Sequence, residues 1–166
     1  MALPAFKHAD PVIGLQGLHQ VSATQMHPLG TRVKGIDSVY GPGEFIYLKG
    51  VENTAVGSLV TFYPDSYATA LLAGNAIGAV AVALAATVAD TYGWYQIYGK
   101  GACKVVAAVA DNGLVYACAT AGSGDDAATA GDRVKGALFA SATDGPATGY
   151  AEIELSYPLM DDGSAA

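Results

Sequence analysis

The sequence predicts an all-β domain, a sandwich, jelly roll or small barrel, preceded by an extended N-terminal arm. Three observations predict it. Short apolar runs rich in Val, Ile, Tyr and Phe are cut repeatedly by Gly, Pro, Asn and Asp, the cadence of strands and turns. The Ala-rich stretch 76–90, helical by propensity alone, alternates bulky and small residues with period two. No segment sustains the period of a surface helix. A chain of 166 residues has the length of one domain and can bury roughly 70% of the surface its unfolded form exposes. The division expected is an arm over 1–30, a single β-domain over 31–160 and a flexible tail over 161–166.

The arm is set apart by Pro4, Pro11 and Pro28, by all three histidines and by the lack of any period. Its apolar anchors, Phe6, Val12, Ile13, Leu15 and Leu18, are expected to pack on their own domain or on a neighbouring subunit. Residues 31–63 read as a hairpin-like unit. Tyr40-Gly41-Pro42-Gly43 is a turn, Glu44–Lys49 a strand of β-formers, and Ser58–Tyr63 the next strand, stopped by Pro64-Asp65. Within 76–90, Val80, Val82, Leu84 and Val88 share one face, and Ala81, Ala83 and Ala85 lie between them. This predicts a strand whose small face admits another sheet or a neighbour's backbone.

Trp94–Tyr98, Cys103–Ala110 and Leu114–Thr120 follow as strands, with Asp111-Asn112-Gly113 as a hairpin turn. Residues 121–131 are a Gly/Asp/Ala loop, Arg133–Ser141 a strand and Asp144-Gly145-Pro146 a turn. Over Tyr150–Tyr157, Ala151, Ile153, Leu155 and Tyr157 are expected to face in, and Glu152 and Glu154 out. With Asn112-Gly113 as a two-residue loop, residue 107 faces Cys118. Cys103 then lies about 13 Å along the strand from Cys118's partner, beyond the reach of a disulfide. Two free thiols are expected, which fits assembly in a reducing cytoplasm.

Composition excludes several functions. Eight Lys and Arg stand against 15 Asp and Glu, for a net charge of -7. No two basic residues are adjacent, so no phosphate-neutralising cluster exists and nucleic acid is not an expected partner. The uncharged stretch 66–89 is long enough to span a bilayer. It carries Gly74, Asn75 and Gly78, has acidic flanks and owes its apolarity to Ala, so no membrane segment is expected. The first 17 residues lack the charged and apolar regions of a signal peptide.

The sequence carries no catalytic or metal-binding pattern. His8, His19 and His27 lack the close spacing of zinc ligands. Asp125, Asp126 and Asp132 do not fall in a calcium-loop register. Glu152 and Glu154 are read as a solvent face, not as paired glycosidase carboxylates. Phosphate loops, nucleophile elbows and zinc-protease motifs are absent from the sequence. No enzyme and no cofactor is expected. What remains is Tyr: ten of them against four Phe, concentrated mid-chain around Trp94. Such side chains suit both the pleated sheet and protein interfaces. Candidate partner-contact residues are Phe6, Val12, Ile13, Leu15 and Leu18 of the arm, with Tyr92, Trp94, Tyr95 and Tyr98.

The segments HPLGTRVKGIDSVYGPGEFIYLKGV (27–51), ADTYGWYQIYGKGACKVV (89–106) and GDRVKGALFASATDGPATGYAEIELSYPL (131–159) together resemble the small decoration, or cement, proteins of tailed-bacteriophage heads. The resemblance covers most of the chain and lies in cadence, Ala/Gly/Thr richness and low charge. It implies a non-catalytic protein on the outer surface of the virion. Such a protein binds the major capsid protein in many copies, acts as a dimer or trimer and clips subunits together against DNA pressure. On this reading, removing residues 1–30 weakens shell binding while the β-domain stays folded. Two other readings are a tail, neck or head-fibre component, distinguished by copy number, and a carbohydrate-binding module with Trp94, Tyr95 and Tyr98 as its stacking platform.

Overall fold

The computed structural model describes residues 3–9, 14–106 and 108–161. Val12 and Ile13 of the arm lie outside the described residues, as do 162–166 of the tail. The described chain is all-β. In chain order the strands are β1 (Lys7–His8), β2 (Val21–Ser22), β3 (Arg32–Asp37), β4 (Gly41–Lys49), β5 (Leu59–Phe62) and β6 (Thr69–Leu71). They continue with β7 (Ala79–Ala83), β8 (Tyr92–Lys104), β9 (Leu114–Ala117), β10 (Gly124–Asp125), β11 (Arg133–Phe139) and β12 (Tyr150–Met160).

All strand pairings are antiparallel and form one network, running β1-β3-β4-β8-β7-β12-β11-β9-β10. The 13-residue β8 is its axis. Along one edge it pairs with β4, from Lys49↔Tyr92 to Gly43↔Gly99. Along the other it meets β2 at its start, β7 at Tyr95 and Gln96, and β12 from Tyr98 to Lys104. The network closes on itself twice. A parallel bridge from Lys49 to Ala68 links β4 to the start of β6, and one from Val105 to Gly124 links the end of β8 to β10.

Three apolar clusters fill this framework. Ile46, Leu48, Val60, Phe62, Ala81, Ala83, Tyr95 and Ile97 fill the ring of β4, β8, β7, β5 and β6. The small face of β7 therefore points into the core, where two alanines make room for the Tyr95 ring, and it is not offered to a neighbour. On the bulky face, Val80 and Val82 join Cys103, Val115, Phe139, Ile153 and Leu155 in the cluster enclosed by β8, β12, β11 and β9. Strand β7 is buried on both faces, so it reads as a continuous apolar run. Val88 lies beyond the strand and is exposed.

The third cluster explains the arm. Phe6 and Leu18 pack with Val33, Tyr40, Phe45, Tyr47, Leu84 and Trp94, so the arm covers its own domain. Its strands β1 and β2 add to β3 and β8. Asp37 fixes the entry, accepting from the N–H groups of Ala5 (2.9 Å), Val39 (2.7 Å) and Tyr40 (2.8 Å). Partial burial pushes the Asp37 carboxyl up, but the three donors outweigh it and hold the group below its ordinary range. Gly35 lets the arm approach: a Cβ there would lie 2.7 Å from both Leu18 Cδ1 and the Lys7 carbonyl oxygen.

Three sequence expectations are corrected. The Asn112-Gly113 turn forms, with Asn112 at φ 63°, but it does not join a hairpin of β8 and β9. Asn112 N–H donates to Phe139 O and Phe139 N–H to Gly113 O, both 2.9 Å. The turn is thereby engaged by β11, while the second half of β8 pairs with β12. Cys103 and Cys118 are free as expected, and the other two corrections lie on β12. Glu152 is buried, because Lys100 on the neighbouring strand reaches its Oε2 at 2.6 Å. Tyr157 is exposed. The β11–β12 register slips between Lys135↔Leu159 and Ala137↔Leu155, so the inward set passes from Ala151, Ile153 and Leu155 to Pro158 and Met160.

Two outcomes follow from this packing. Phe6→Ala and Leu18→Ala are each expected to lower stability by about 2–5 kcal/mol, measured by urea denaturation, and removal of residues 1–30 is expected to expose the Trp94 cluster instead of leaving an intact domain. Burial pushes the Cys103 thiol up to about 12, whereas Cys118 is only half-buried. A thiol reagent is expected to titrate Cys118 in the folded protein and to reach Cys103 only after unfolding.

Candidate functional site

The register slip in β12 has a consequence on the outer face. Tyr157 sits at φ 49°, in the left-handed region where a bulky L-residue is strained by roughly 1–2 kcal/mol. A strained, exposed aromatic is not explained by packing of the core. Its ring lies 5.3 Å from that of Tyr98 on β8, tilted by 32°. Its hydroxyl donates to Glu44 Oε2 at 2.7 Å, and this bond, with the charge of Glu44, raises the phenol above its ordinary range. The Arg32 guanidinium stands 6.0 Å from the ring centroid.

Tyr98 is the ridge between two grooves. One, of about 610 Å³, runs across β8, β12 and β11 and is lined by Tyr98, Lys100, Arg133, Leu138, Glu154 and Ser156. The other, of about 270 Å³, lies toward β3 and the arm, between Tyr98, Lys34, Ile36, Pro42 and Glu44. The backbone permits the first groove because Gly99, at φ +95°, passes close under the Pro42 carbonyl oxygen, where a Cβ would clash. Tyr98, Tyr157, Leu138 and Ile36 are all exposed. Of the eight Lys and Arg of this acidic chain, Arg32, Lys34, Lys100 and Arg133 stand around these grooves. The face thus joins paired aromatic rings to half of the chain's basic side chains.

The chain matches no protein-family model, no curated protein and no solved structure.

The sequence-derived contact residues separate into two groups. Phe6, Leu18, Trp94 and Tyr95 are interior, and Leu15 and Tyr92 are half-buried against the arm cluster. Among the described ones only Tyr98 reaches the exposed face. A sugar-stacking platform of Trp94, Tyr95 and Tyr98 is thus not formed, because alternation along β8 sends Trp94 into the arm cluster and Tyr95 into the ring. Tyr157 completes the face, although strict alternation places it inward. Two residues in the sequence signal the slip: Pro158 beside it on β12, and Gly136 at φ 75° between Lys135 and Ala137 on β11.

The acidic residues of the 121–131 loop and its border have structural partners. Asp126 Oδ2 accepts from Ala110 N–H at 2.8 Å, and Asp132 Oδ1 from Asn75 N–H at 2.6 Å. Among the described residues no group of three or more His, Cys, Asp or Glu is placed to hold a metal ion. No helix among them is long and apolar enough to cross a membrane.

Tyr157→Asn replaces the strained aromatic by a residue that tolerates φ > 0. The expected result is a melting temperature unchanged or raised. A fall comparable to that of a core truncation would mean the ring serves stability.

Proposed function

We propose that this chain is a structural, non-catalytic protein of a tailed-phage head. It decorates the outside of the shell, contacts the major capsid protein through the Tyr98–Tyr157 face and bridges neighbouring subunits. The observation that carries the reading is that face: an aromatic pair displayed on the longest strands, one member held in a strained backbone. Strain retained at an exposed position is a mark of sites under functional constraint. Tyr rings with polar tips and flanking Arg side chains have the composition of protein–protein contact centres. The overall acidity suits a surface kept away from packaged DNA, since it would repel phosphates. Cement function as a dimer or trimer rests on the resemblance in sequence cadence.

The test is the ratio of this chain to the major shell protein in purified particles, by quantitative mass spectrometry, combined with rebinding of purified protein to undecorated shells. A simple whole-shell ratio is expected, and Tyr98→Ala with Tyr157→Ala should weaken rebinding by more than about tenfold at unchanged melting temperature. A handful of copies per particle would place the chain at a tail or portal vertex. Undiminished rebinding of the double variant would remove the face from the mechanism.

A further inference from the structure

We propose that the arm is held down by a proton-sensitive latch, in which His27 and His8 clamp the main chain of Gln16, and that protonating His27 releases the segment around it. The geometry fixes the protonation states. Gln16 N–H donates to His27 Nε2 at 3.1 Å, so this nitrogen must carry a lone pair, which the imidazolium lacks. The Gln16 carbonyl oxygen only accepts. It takes one bond from Trp94 Nε1–H at 3.0 Å and one from His8 Nε2 at 2.8 Å. His8 therefore carries its proton on Nε2, and its Nδ1 is a buried nitrogen with no protein partner among the described residues. The Gln16 side chain completes the clamp, accepting from Tyr47 O–H at 3.0 Å and donating to the Gln20 carbonyl at 2.7 Å.

The surroundings favour a neutral His27 ring. His27 lies edge-on to Tyr47, with ring centroids 5.0 Å apart, and 5.4 Å from Trp94. Tyr92 stacks behind Tyr47. Burial pushes the Tyr47 phenol up, so it is uncharged at any pH where histidine titrates. The one charged-state neighbour acting on His27 is His8, and among the described residues no carboxylate offsets it. Burial, and then His8, hold His27 below its ordinary value of 6.5. The neutral ring is thus the folded form. Its contribution is complete above pH 6.5 and is lost as the pH falls below that value. His19 is built differently: its Nδ1 meets the Leu84 carbonyl at 3.1 Å, so this nitrogen donates in either charge state, and Asp37 is its charged neighbour. Of the three histidines, His27 is the one whose bond fails on protonation.

The test uses the full chain between about pH 7.5 and pH 5. Amide exchange, corrected for its intrinsic pH dependence, is followed by mass spectrometry alongside fluorescence of Trp94, the chain's one tryptophan. Peptides covering 14–27 are expected to lose protection by at least about tenfold, with a midpoint below pH 6.5. Trp94 emission should move to the red in the same step, and β8 and β12 should stay protected. His27→Gln supplies an acceptor that gains no proton and should abolish the transition; His19→Gln should leave it in place. Full protection of 14–27 down to pH 5, its loss together with β8 and β12, or an unchanged transition in the His27→Gln variant would each overturn the latch. Should His27→Gln fail to fold, the wild-type exchange series decides alone.

Discussion

Strand β8 must satisfy hydrogen bonds along both of its edges and bury side chains on both of its faces, and every other element is arranged to let it do so. Its first half needs β4 on one side and β2 and β7 on the other. Its second half needs β12. One face sends Tyr95 and Ile97 into the ring, and the other presents Trp94 to the arm. A backbone group left unpaired away from water and a Trp ring left exposed to water are both expensive. Among the described residues, the arm supplies both a strand and apolar cover at the start of β8, which is why it is held by so many polar contacts around Gln16.

The low charge of the sequence takes on meaning in this setting. With so few ionic groups, the exposed ion pairs, Lys49–Asp90 and Lys135–Asp161 among them, contribute little. Stability rests on burial, and the surface keeps exposed aliphatic side chains such as Ile36, Val39 and Leu138 beside Tyr63, Tyr98 and Tyr157. Where aromatic rings do reach that surface as a pair, at Tyr98 and Tyr157, the backbone is strained and not relaxed. The fold thus separates its aromatic residues by role: interior scaffold on one set of strand positions, display on another.

The all-β class was legible because it depends on local signals. Period two in 79–83, turn residues at Asn112 and β-formers over Glu44–Lys49 all appear where the chemistry puts them. What escaped was set by distant residues. The partner of β9 is β11, because Phe139 competes for the Asn112-Gly113 turn. Glu152 is buried because Lys100, diagonal to it on the neighbouring strand, reaches its carboxylate. The fate of the arm depended on whether Gly35 left room beside Phe45 and Leu18. The display face was half visible: Tyr98 belongs to the mid-chain aromatic group that the composition singles out, but Tyr157 required a slip of register that alternation cannot express.

The docking of the arm carries a consequence for the order of events during synthesis. Phe6, Leu18 and β2 emerge long before 92–104, yet part of their binding surface, the start of β8 with Trp94, is made only then. Through the elongation in between, Phe6 and Leu18 have only the residues of β3 and β4 and Tyr40 between them to pack on, and the Leu84 and Trp94 part of their cluster is missing. The ring beneath them closes through contacts between segments far apart in the chain, which are slow to find. A nascent chain of this protein therefore holds an exposed, strand-competent segment while its receptor is still being built, and identical neighbours on one message are the first surfaces it meets.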